Sequence, residues 1–155
     1  MKISWPDIQN NRLLTGRIEA QAHPYIEALG VDNAAQFLLH FGGSLLPLPT
    51  KRAHKGTELS KVLQGMYGDG WKDKALQLGR CVGHSCPSVP LTRTFLCRYL
   101  RSQGKSVNDI ARILKTSGTT VYRHLKGDEA RREKTLKHRE QVIRQADSYR
   151  AHADA

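Results

Sequence analysis

The chain has 155 residues, 39% hydrophobic and 25% charged, with 25 Lys and Arg against 14 Asp and Glu for a formal net charge of +11. That apolar fraction supports a compact core and excludes wholesale disorder, and the length suits one ordinary domain or two small ones. No apolar run reaches the roughly 18 residues of a membrane span, and the start Met1-Lys2-Ile3-Ser4-Trp5-Pro6-Asp7 lacks the apolar stretch of a secretory signal, so a cytoplasmic protein with no membrane partner is expected.

Residues 1–22 are polar and weakly patterned, and read as an N-terminal arm with a short helix. His23-Pro24 breaks it. Between Tyr25 and Phe41 the apolar positions Ile26, Leu29, Ala34, Ala35, Phe37, Leu38, Leu39 and Phe41 are interrupted by Gly30. Asp32 suits the N-cap of a helix over 33–41, ended by Gly42-Gly43. Ser44-Leu45-Leu46-Pro47-Leu48-Pro49 is extended; its two prolines exclude a central strand and leave an edge strand open. Thr57 caps a helix over 58–66, with Leu59, Val62, Leu63 and Met66 at helical spacing. Tyr67-Gly68-Asp69-Gly70 is a turn, and Trp71 to Leu78 is helical again. The order helix, glycine, extended segment and proline in 33–49 has a faint echo in 71–90. The span 23–90 reads as a helical dimerisation region. Its stretch 26–48 holds more apolar residues than one short helical hairpin can bury, which points to a homodimer.

Residues 91–127 concentrate the charge. They hold Arg93, Arg98, Arg101, Lys105, Arg112, Lys115, Arg123 and Lys126 against the single acid Asp109, a net of +7. Residues 1–90 carry only +3, and 128–155 have seven bases against six acids. A focused basic segment attracts polyanions, double-stranded DNA foremost.

The same segment reads as three helices. Thr92 suits the cap of the first, with Phe95, Leu96, Tyr99 and Leu100 on one face before Gly104. Ser106-x-x-Asp109 starts the second in the manner of a capping box, followed by Ile110, Ala111 and Leu114. After the turn Lys115-Thr116, Ser117 caps the third, in which Val121 and Leu125 point inward, and Gly127 closes it. The outer face of that third helix offers Thr119, Thr120, Tyr122, Arg123 and Lys126 to phosphates and base edges. Its N-terminus at Ser117 suits a phosphate. With Lys105, Arg112 and Lys115 on or beside the second helix, these residues form the expected DNA-binding set of a trihelical helix-turn-helix. Residues 128–155 form a mixed-charge helix with pairs such as Glu133–Lys137. Its apolar residues Leu136, Val142, Ile143 and Tyr149 are too sparse for a zipper, so it reads as a lightly docked helix or an interaction surface, RNA polymerase being one partner considered.

The run Ser106-Val107-Asn108-Asp109-Ile110-Ala111-Arg112-Ile113-Leu114, with Ser117 and Thr120-Val121-Tyr122-Arg123, resembles the helix-turn-helix of resolvases and of many bacterial and phage regulators. Lys115 stands where that family usually has the turn glycine. Leu29-Gly30, Ala34-Ala35, Phe41-Gly42-Gly43 and Leu45-x-x-Leu48-Pro49 ahead of such a module resemble the Mor/C family of Mu-like phage transcription activators. That resemblance implies a homodimer, with 23–50 in the dimerisation region and 105–125 reading DNA. The chain differs by some 40 extra residues before the helix-turn-helix and by Pro47 in the extended segment, which bears on any pairing of strands between subunits.

The fold class expected is therefore all-α, with an N-terminal helical dimerisation region containing a short extended segment, then a trihelical helix-turn-helix at 91–127 and a C-terminal helix. The function expected is a nucleoid-associated, sequence-specific transcription regulator of a bacterial host cell, an activator of phage or mobile-element genes. The alternatives are a DNA-binding accessory of a recombination system and a basic protein-interaction adaptor. No enzymatic set is visible and no cofactor is expected. The three Cys are too few for a disulfide scaffold. Cys81, His84 and Cys86 have ligand types for zinc but an unusual spacing, and packed thiols beside a loop histidine are the favoured reading. Trp5 and Trp71 read as core anchors.

Overall fold

A computed structural model of the chain describes residues 2–7, 12–126 and 128–154, with side-chain surroundings for 18–126 and 133–154. Helices build the core, and the fold class is all-α. The arm departs from expectation. In place of a short helix it forms an antiparallel hairpin of β1 (Lys2–Asp7) and β2 (Arg12–Arg17), with Trp5 opposite Leu14, followed by a 3-10 turn at Ala20–Ala22. A hairpin register depends on pairing across the turn, which a weakly patterned polar stretch does not announce. The side chain of Trp5 and the backbone of Gly127 lie outside the described residues.

Helix α1 (His23–Leu29) starts at the histidine, with Pro24 in its first turn, where no amide partner is needed. Helix α2 (Val31–Phe41) begins two residues earlier than expected. Gly30, at φ +80°, is its N-cap and Asp32 lies in the first turn. Helix α3 (Glu58–Tyr67) carries the predicted cap, the Ser60 amide donating to Thr57 Oγ1 at 3.1 Å. Helix α4 (Trp71–Val82) runs four residues past Leu78 and ends on Gly83 in a left-handed conformation. Trp71 is a buried core residue.

These helices pack α1 on α2 and α4, and α3 on α4. Ile26, Leu29, Phe37, Leu38, Phe41, Leu46 and Leu48 are buried together with Leu63 and Leu78. Most of the apolar excess of 26–48, taken as a sign of a dimer, is thus covered within the chain, α1 by α4 and α2 by α1 and α5, whereas Leu45 stays exposed.

The two echoed extended segments find each other. Gly43 and Leu46 amides donate to Val89 and Pro87 carbonyls, Leu48 to Ser85, and the Val89 amide donates to Ser44, around an antiparallel bridge between Leu45 and Ser88. Leu46 and Leu48 supply the amides on the paired edge, so Pro47 and Pro49 fall on the outward edge, where they cost no bond. Pro87 lacks the amide that would answer Leu46, and the ladder stops at one bridge. The extended segment that contains Pro47 therefore pairs within its own chain. Glycine is required where the layers close: a Cβ on Gly79 would stand 2.4 Å from the Pro49 carbonyl oxygen.

Helices α5 (Arg93–Ser102), α6 (Val107–Ile113) and α7 (Gly118–Leu125) form the second cluster, with Phe95, Leu96, Ile110, Val121 and Leu125 at its centre. α2 packs on α5 and joins the two clusters. Helix α8 (Asp128–Ala153) follows and touches β2. Among the described residues no helix is long and apolar enough to cross a membrane.

Candidate nucleic-acid interface

Helix α5 is the scaffold of the site. Residues Phe95 to Arg101 are all buried, so this helix is enclosed on its polar face as well as its apolar one. Two bases of the segment are consumed there. Arg98 is fully buried and its guanidinium donates to the Lys126 carbonyl at 3.1 Å, closing the C-terminal end of α7. Arg101 is buried and donates to the Lys105 carbonyl at 3.3 Å. Both belong to the +7 of residues 91–127, so the exposed share of that charge is smaller than the composition implies. The apolar neighbours on both sides, Phe95-Leu96-Cys97 and Tyr99-Leu100, are the signal for the burial of Arg98.

The start of α5 corrects a second expectation. Thr92 sits at φ +42° and makes no capping bond. Glu19 of the arm takes that role, accepting from the amides of Thr94 at 2.6 Å and Phe95 at 3.1 Å. Thr94 Oγ1 in turn meets His124 Nδ1 at 2.9 Å and ties α5 to α7.

α6 and α7 are capped as their sequences indicate. Ser106 Oγ accepts from the Asp109 amide at 3.2 Å and donates to its carboxylate at 2.8 Å. That hydrogen bond is the main reason the Asp109 carboxyl is held below its ordinary value, with Arg112 and Lys105 adding to it. Arg112 is exposed and lies 3.4 Å from Asp109. Ser117 Oγ accepts from the Thr120 amide at 3.2 Å and meets its hydroxyl at 2.9 Å, so both side chains serve the cap. Lys115 adopts φ +52°, the left-handed turn that glycine usually fills.

With Val121 and Leu125 turned into the core, the outward residues of α7 are Thr119, Tyr122 and Arg123, followed by Lys126 at its C-cap, all exposed and Tyr122 by 62%. Steps of three and four place Thr119, Tyr122 and Arg123 along one face, with Lys126 just past the helix end. Lys105 is exposed just ahead of α6. Lys115 lies elsewhere, lining a cleft with Leu39 and His40 of α2. The geometry thus assembles a short polar and basic strip on a helix whose back is packed, the arrangement that lets a helix enter a DNA major groove.

Cys81 is half-buried, whereas His84 and Cys86 are exposed, and the Cys86 amide donates to His84 Nδ1 at 3.1 Å. Among the described residues no three His, Cys, Asp or Glu side chains come together as a metal-ligand group.

A family model described as the helix-turn-helix domain of resolvase matches residues 96–128, which is 33 of the 155 residues. The match begins inside α5 and covers α6 and α7 entirely. No curated protein and no solved structure matches the chain. The chain carries a DNA-binding helix-turn-helix of the resolvase type.

Proposed function

We propose that this protein is a non-enzymatic, sequence-specific transcription regulator that binds double-stranded DNA as a homodimer, and that it activates genes of a phage or mobile element. The observation that carries this reading is the exposed strip Thr119, Tyr122, Arg123 and Lys126 on a capped, core-backed α7 inside a resolvase-type module. Lys105 and Arg112 supply phosphate contacts that fix the helix in register, while Arg123 reads a base edge. Two-fold pairing would present two such helices to half-sites about one helical turn, or a multiple, apart. The assignment to activators rests on the resemblance to the Mor/C family in 29–49, with RNA polymerase as the partner it implies. The decisive experiment is to select DNA from random and host fragments with purified protein, sequence it and map the sites. Inverted half-sites beside promoters support an activator.

The resolvase description of the matched model favours one other reading, an accessory of a recombination system. Sites that cluster at recombination junctions instead of promoters would select it. Binding that competitor DNA of any sequence abolishes equally would select the adaptor reading instead.

A further inference from the structure

A basic loop outside the helix-turn-helix joins the extended segment to α3. Residues 51–56 read Lys-Arg-Ala-His-Lys-Gly, and Lys51, Arg52 and Lys55 are exposed while Ala53 is half-buried, so the loop turns its charge outward. The loop lies along α4. Pro49 and Thr50 share a groove with Gly79, Arg80 and Gly83 towards the end of that helix. Ala53 and His54 meet Trp71 and Ala75 towards its start. Lys72 lies on the same side of α4 as Gly79, two turns earlier, and both Lys72 and Arg80 are exposed. Lys51, Arg52, Lys55, Lys72 and Arg80 thus form a surface patch, and none of them has an ion pair among the described residues. The acids of the region are fewer. Glu58 is taken by His40 at 2.9 Å, which leaves Asp69 and Asp73. A patch of like charge repels itself, and a polyanion relieves the repulsion.

The patch adjoins the DNA-binding module. His40 lines a cleft of about 300 Å³ with Arg93 and Lys115, at the turn ahead of α7. The same His40 holds Glu58, and Lys55 precedes Glu58 by so few residues that chain reach keeps the two within about 11 Å. From the α6–α7 turn the cations Lys115, Arg93, Lys55 and Lys51 therefore follow one another over a distance on the order of one duplex turn, roughly 34 Å. The acid beside that path, Glu58, is already paired. A helix in the major groove has phosphate backbone on either side of it, and the turn ahead of the helix faces one of those strands.

We propose that Lys51, Arg52 and Lys55, with Lys72 and Arg80, form a second docking surface for the phosphate backbone of the same duplex, beyond the bases that α7 reads. It lengthens the contact without reading sequence, because exposed lysines meet phosphates as point charges. The proposal rests on the DNA-binding part of the proposed function and extends its footprint.

Fluorescence anisotropy of the full chain tests it on two duplexes, one trimmed to the selected site and one carrying about two helical turns of random sequence on each side. The variant is Lys51→Gln, Arg52→Gln and Lys55→Gln together, with circular dichroism as the check on folding. The wild type should bind the long duplex about tenfold or more tightly than the trimmed one, with a salt slope steeper by about two to three per subunit. The variant should match the wild type on the trimmed duplex and lose most of that gain on the long one, whatever the flanking sequence. Lys51→Arg with Lys55→Arg keeps the charge and should keep the gain. Equal wild-type affinity for both duplexes, or a folded glutamine variant that retains the gain, overturns the proposal and leaves the helix-turn-helix reading standing. So does a variant that loses affinity equally on both duplexes, or a wild type that uses the loop to bridge two separately labelled duplexes. A wild type that binds neither duplex overturns both readings.

Discussion

Glu19 caps a helix whose second residue lies 75 positions further along the chain: its carboxylate takes the Thr94 amide at 2.6 Å. A second oxygen takes the Phe95 amide, so the arm completes the first helix of the DNA-binding module. Two free amides at a helix N-terminus favour a negative acceptor. Glu19→Ala should destabilise the protein by about 1–2 kcal/mol, and Glu19→Gln by less, because it keeps one acceptor oxygen but loses the charge. Urea denaturation followed by circular dichroism checks this. Equal stability of all three proteins would show that Thr92 or water replaces the cap.

Arg123 lies on the exposed strip of α7. Arg123→Ala should cost about 1–3 kcal/mol on the selected site and flatten preference at one base position. Titrations on specific and random DNA make the comparison. An equal loss on both would assign Arg123 to a phosphate.

Arg98 and Arg101 are buried, and Lys115 of the expected DNA-binding set lines a cleft beside α2 instead. With Lys105, Arg112, Arg123 and Lys126 exposed, about three to four phosphates per subunit are within the means of the module. A dimer should then show log K falling with log salt at a slope near −5 to −7. Lys126→Ala should lower the slope by about one per subunit without changing sequence preference. A wild-type slope shallower than about −3 would move the docking face away from this segment.

Lys115 holds φ +52° with a side chain where a glycine carries no penalty. Lys115→Gly should relieve local strain, with a gain of up to about 1 kcal/mol that the larger unfolded-state freedom of glycine partly offsets. Thermal unfolding at high salt, where the cleft charges are screened, isolates this contribution. Destabilisation there would mean that the aliphatic stem of Lys115 holds the turn.

Cys97 is buried, and burial with Glu19 nearby pushes its thiol up to about 12 from the ordinary value of 9.0. The folded state therefore favours the neutral thiol. Above pH 9 the unfolded chain ionises while the folded one does not, so stability should fall as pH rises from about 9 towards 12. At neutral to mildly alkaline pH, Cys86 should react with a thiol reagent, Cys81 more slowly, and Cys97 only after denaturation. Reaction of Cys97 at the rate of Cys86 in folded protein would contradict the packing of α5.

Local chemistry wrote much of this protein into its sequence. Thr57, Ser106 and Ser117 are caps whose acceptors lie three residues from their donors, and each was readable from spacing alone. The inward pair Val121 and Leu125 likewise set the outer face of α7, because a helix has one period. What tertiary structure decided involves partners far apart in the chain. Nothing near Thr92 announces that Glu19 will cap α5. Nothing at Pro47 announces that 43–48 will pair with 85–89, and the β1–β2 hairpin depends in the same way on backbone pairing across a turn. The same holds for charge: composition counts Arg98 with Arg123, and only the enclosure of α5 separates a guanidinium that holds the module together from one that is free to meet DNA.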